Sequence, residues 1–236
     1  MNSLQELKIE LKQQANAEKA LIYKSFFKTA PGQYGEGDIF VGVTSPILHK
    51  IAKSYQDLSL EDCSELLSSS IHEERMLAVF ILTEQFQKAK KELFKKEIID
   101  CYLKNIKGIN SWDLVDLSAP KLLGPYLWEK NKQLLYEWAK TEDLWKQRIA
   151  IISTFYFIRK KSYSDALAIA DILLNHKHDL IHKAVGWMLR EIGKRDKQSE
   201  DDFLYSRYQE MPRTMLRYAI EKYPEQERQK YLKNEI

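Results

Sequence analysis

The chain has 236 residues, enough for a sizeable core in one or two domains, with 8 Gly, 6 Pro and 30% charged residues. So few breakers among so many Lys and Glu point to an all-α protein, and a net charge of +3 is too mild to establish nucleic-acid binding by itself. Cys63 and Cys101 lie in helical patterns without CxxC spacing, which predicts reduced core thiols in a cytoplasmic protein, and no run nears the ~18 apolar residues of a membrane span.

Taken in chain order, Leu4, Leu7, Ile9 and Leu11 recur at helical spacing in a charged N-terminus that resembles neither a signal peptide nor a membrane segment. Lys28 to Val43 holds four of the eight glycines and reads as a loop. Ser45 and Pro46 mark a helix start, with the proline in a first turn where its missing N–H costs nothing. Met76, Leu77, Val79, Phe80 and Ile81 continue the helical pattern, as do Leu167, Ile169, Ile172 and Leu173. Breaks near Asp57–Ser59, Gly108–Asn110, Gly124–Pro125, Lys160–Tyr163, Asn175–Asp179, Lys194–Ser199 and Met211–Pro212 cut the chain into roughly a dozen helices, and no run alternates as a strand does.

Four of these helices place a basic residue just before a small one: Arg75, Arg148, Lys183 and Arg217. Arg148 to Lys183 is 35 positions, Lys183 to Arg217 is 34, and Arg75 to Arg148 is 73, about two such periods, close to the ~34–47-residue spacing of helical-pair repeats. The expectation is one domain over 1–236, a right-handed solenoid of HEAT-like pairs whose second helices line a concave groove with a basic stripe. Each cation has a plain alternative in a local ion pair or a snorkelling stem, and Arg75, after Glu73 and Glu74, is the weakest member.

Three segments carry the chemistry: Ser111-Trp112-Asp113-Leu114-Val115-Asp116, Trp145-Lys146-Gln147-Arg148, and Lys183 through Trp187, Arg190 and Glu191 to Lys194. Trp112 and Asp116 are four apart and share a helix face, as do Trp187, Arg190 and Lys194. Singly these are weak signals, since helical tryptophans are usually packed and Asp116 alone is an ordinary surface acid. Trp145 reads as core, and Asp113 as a cap or interhelical acceptor. Tyr34, Glu36 and Asp38 form an acid-rich turn that fits no calcium loop, and without a His/Cys cluster no metal or other cofactor is expected. Thr44 and Ser45 could offer hydroxyl and backbone N–H groups to a phosphate, or simply cap their helix.

In this order the three segments resemble the AlkD family of bacterial alkylpurine DNA glycosylases, whose SWWD-x-VD, W-x-QR and KA-x-GW-x-LRE read here SWDLVD, WKQR and KAVGWMLRE. The likeness runs from FVGVTSP, beginning at Phe40, to the helix after Lys194, and so covers most of the chain. It implies Asp116 as the catalytic carboxylate, Trp112 and Trp187 as the aromatic residues framing the lesion's sugar, Arg148 and Arg190 as phosphate contacts, and Lys194 as a basic residue near the DNA. Lys183, Thr44 and Ser45 join the DNA-binding set on the pattern read above. Ser111 stands where the family has the first of two tryptophans, and the Gly-rich loop before Phe40 has no counterpart in the shortest members.

The resemblance implies a metal-free monomer that excises cationic alkylated purines, such as methyladenine and methylguanine, from double-stranded DNA without extruding the base. Such a base is already a good leaving group. What bond breaking lacks is a partner for the cationic sugar, which a preorganised carboxylate supplies. Two rivals use the same scaffold: a non-catalytic DNA-structure binder, for which the cations suffice, and a protein-binding solenoid, which needs no basic face.

Overall fold

The computed structural model describes residues 3–236, which divide into two compact units at Ser118/Ala119. Among the described residues there is no β-strand, only an isolated bridge between Ile39 and Ile71, so the all-α expectation holds. No helix among them is long and apolar enough to cross a membrane.

The first unit opens with α1 (Leu4–Gln13), closed at its start by a capping box in which Ser3 and Glu6 satisfy each other's backbone N–H, and anchored by buried Leu4, Leu7 and Leu11. Next comes α2 (Ala17–Phe26), capped by Asn16, which buries none of its side chains and leaves Leu21, Ile22 and Phe26 exposed. The Gly-rich segment is irregular, as predicted, and leads into α3 (Ser45–Ser54), with Pro46 in its first turn. Then follow α4 (Leu60–Leu67), α5 (His72–Lys88), α6 (Glu92–Lys104) and α7 (Trp112–Ser118).

The centre of this unit is α5, which packs on α3, α4, α6 and α7 and is buried from His72 through Thr83. A helix buried all round belongs in a core, yet its first turn reads His72-Glu73-Glu74-Arg75. Those polar groups must find partners inside the protein, and the Gly-rich loop supplies several of them. Glu73 accepts the backbone N–H groups of Val41, Gly42 and Val43, at 2.8 Å from Gly42. Gly42 has φ +82°, and a Cβ there would stand 2.1 Å from the Asn16 carbonyl oxygen, so only glycine lets the loop lie against the start of α2.

The second unit comprises α8 (Leu123–Leu127), α9 (Gln133–Ala139), α10 (Leu144–Ser153), α11 (Phe155–Arg159), α12 (Ser164–Ile172), α13 (Asp179–Gly193), α14 (Lys197–Tyr205), α15 (Arg213–Ala219) and α16 (Glu225–Lys233). Within it α13 packs on both α10 and α15, so the helices bearing Arg148, Lys183 and Arg217 stack in sequence order, as a repeat predicts. Gly186 permits that closeness, because a Cβ there would meet the Met215 carbonyl oxygen at 2.4 Å and the Tyr218 Cβ at 2.5 Å.

Two expectations need correction. Gly124–Pro125 is not a break but lies in the first turn of α8, where proline is tolerated, and the interruption falls before Leu123. Arg75 and Arg148 are not part of an exposed stripe, because they are 3% and 5% exposed, and Arg75 is bound to Asp38.

Candidate functional site

Asp116 and Trp112 lie one turn apart on α7, both half-buried. Trp112 stands in an aromatic cluster, stacked on Phe27 with centroids 5.4 Å apart at 16° and edge-on to Phe26 at 5.9 Å. Phe27 in turn stacks on Phe40 at 4.9 Å, so its ring lies between an indole and a second phenyl ring. A cavity of about 320 Å³ borders this cluster, lined by Tyr23, Phe26, Phe27, Phe40, His72 and Asp113 among others. Ser111 is 1% exposed, so at the site of the family's paired tryptophans it is Trp112 that retains surface.

Sequence reasoning did not find the polar network beside the cluster. His72 donates from Nε2 to the Asp113 carboxylate at 2.8 Å, while its Nδ1 faces Asp38 at 3.3 Å. Arg75 Nη2 binds the same Asp38 oxygen at 2.6 Å, and Asn110 donates to the other at 3.2 Å. Burial works against a charged imidazole, but Asp113 and Asp38 outweigh it and raise the His72 pKa to about 9. Burial also opposes ionisation of Asp38, and there too His72, Arg75 and Asn110 prevail and hold its carboxyl below the usual range. The sequence held one hint: an acid in the Gly-rich loop and a His-x-x-Arg pair on one helix face.

Thr44 is the N-cap of α3, yet its side chain makes no capping bond. Ser45 is exposed at the first position of α3 and borders the aromatic cavity. Asp113 is the interhelical acceptor the sequence suggested, and it also accepts the backbone N–H of Leu114. Cys63 and Cys101 are buried free thiols.

The remaining candidates belong to the second unit. Trp187 is half-buried on α13, 5.7 Å from the Phe155 ring. Arg148 is 5% exposed, and its guanidinium donates to the Leu180 carbonyl in the first turn of α13. Lys183 pairs with Asp179 at 2.7 Å, Arg190 with Glu221, and Lys194 with Glu191 at 2.5 Å. Trp145 is half-buried, less enclosed than a core reading requires. Among the described residues no group of three or more His, Cys, Asp or Glu side chains could hold a metal ion.

Stacked helices, with no sheet among the described residues, place the chain among all-helical repeat proteins. Residues 7–223 match the family of DNA alkylation repair enzymes, and the chain belongs to it. Its fold is similar to that of a solved structure described as a predicted DNA alkylation repair enzyme from Enterococcus faecalis, with a TM-score of 0.66 at 17% identity over 89% of this chain and 96% of that one. No curated protein matches the chain.

Proposed function

We propose that this DNA alkylation repair enzyme is a monofunctional N-glycosylase that excises cationic alkylated purines from duplex DNA, the first step of base excision repair. The observation that carries the reading is Asp116 one turn past Trp112 on α7, with the indole stacked on Phe27. As the C1′–N bond breaks, its electron pair leaves with the purine and cancels the base's positive charge. The sugar is left as an oxocarbenium-like cation, which the Asp116 carboxylate would stabilise. Water then adds to C1′ and loses a proton to the same carboxylate, giving an abasic site. No metal is needed, because the leaving group requires no activation.

In this reading Trp112 and Trp187 shield the sugar and add cation–π attraction, worth about 0.5–2 kcal/mol each. Lys183, Arg190 and Lys194 bind phosphates by exchanging an acidic partner for the backbone, while Thr44 and Ser45 offer hydroxyl and amide groups at the start of α3. Arg148, buried against Leu180, contributes by fixing the first turn of α13 as well as through its charge. The protein would act as a cytoplasmic monomer. The test is release of free methylpurine from methylated duplex DNA by the wild type and by Asp116→Asn. Release by the wild type alone supports the reading, equal release removes Asp116 from it, and no release from either leaves a DNA-binding protein without this catalysis.

A further inference from the structure

The network around His72 touches Trp112 by two separate routes. Through bonds, His72 Nε2 holds the carboxylate of Asp113, the residue after Trp112 in the first turn of α7. Through rings, the imidazole stacks on Phe40 at 4.6 Å and lies 5.1 Å from Phe27, which carries the indole. The cavity of about 320 Å³ leaves one flank of Phe26 and Phe27 without packing atoms. Their placement therefore depends on what braces the remaining sides.

We propose that His72 is a positioning residue, an imidazolium clamped between Asp38 and Asp113 that fixes the first turn of α7 and with it Trp112 and Asp116. The charged groups facing it are Asp38 from the Gly-rich loop, Arg75 from α5 and Asp113 from α7, with Glu73 the next residue in α5. Arg75 is committed to Asp38 and to the Ser69 carbonyl, while the two ring nitrogens of His72 face Asp38 on one side and Asp113 on the other. The clamp also gives a reason for tying the Gly-rich loop to α5: Asp38 sets the second side of the imidazole.

Its catalytic consequence rests on the glycosylase reading, whereas its structural content does not. The full chain is labelled with 5-fluorotryptophan, and Trp112 is assigned among its five tryptophans by Trp112→Phe. In His72→Gln and Asp113→Asn the Trp112 fluorine resonance is expected to shift or broaden while those of the other four tryptophans hold. Single-turnover excision should fall about tenfold with the Kd for DNA unchanged. In the wild type the same resonance should move as pH rises through about 9, which needs no variant to fold. A Trp112 resonance that stays put, in folded variants or across that titration, overturns the proposal. If the wild type releases no alkylpurine, the glycosylase reading fails and the fluorine signals still decide the role of His72.

Discussion

His72 on α5 and Asp113 on α7 meet at 2.8 Å, and this bond joins the buried core helix of the first unit to the turn that bears Trp112. Neither residue belongs to the set that the motifs single out for catalysis. Together they show how a short helix of seven residues, Trp112–Ser118, is held in place.

The pairing makes stability depend on pH. Because the folded pKa of His72 lies near 9, above its ordinary 6.5, its contribution is full below about 6.5 and is lost as pH rises through about 9. The shift corresponds to on the order of 3 kcal/mol. Urea melts of wild type and His72→Gln between pH 6 and 10 should show a gap that narrows at the alkaline end.

A second pH response, of opposite sign, sits at the start of α13. His176 Nδ1 accepts the His178 N–H at 3.0 Å, and His178 Nδ1 accepts the Leu180 N–H at 3.1 Å and caps the helix. Burial, then His178 and His182, lower the His176 pKa, so its contribution is present above about 6.5 and lost as pH falls below it. The urea midpoint should drop from pH 7 to pH 5 more in the wild type than in His176→Gln.

Gly186→Ala is expected to destabilise the second unit by roughly 1–3 kcal/mol, since its methyl group must displace backbone of α15 rather than a flexible side chain. Chemical denaturation measures this. A neutral effect would mean that α13 and α15 separate at no cost.

Arg190 is paired with Glu221, an exposed acid that must yield if the guanidinium is to meet a phosphate. Glu221→Gln should tighten binding to duplex DNA a few-fold. Arg190→Ala should weaken it and reduce the slope of log Kd against log salt by about one. Titrations at several salt concentrations separate the two effects.

Much of the fold was legible because helical periodicity and turn residues are local signals. The loop at 28–43, the start at Ser45–Pro46 and the stacking of the Arg148, Lys183 and Arg217 helices all follow from them. Gly124–Pro125 misled because proline stops a helix only past the first turn. The site was legible in its motifs but not in its supports. Asp38 and Arg75 are 37 positions apart, and Asp38 and Asn110 are 72 apart, so no window of sequence contains the network. Arg75, already the weakest of the four cations because it follows Glu73 and Glu74, is buried, as is Arg148, whereas Arg217 is exposed.

The central claim is that Asp116 stabilises charge on the sugar, and the single-turnover excision rate of Asp116→Asn on a duplex carrying one methylated purine tests it most directly. With DNA affinity unchanged, the rate should fall by about 10²–10³-fold, the loss typical of removing one preorganised electrostatic group. A rate within threefold of the wild type at equal affinity would place the chemistry elsewhere.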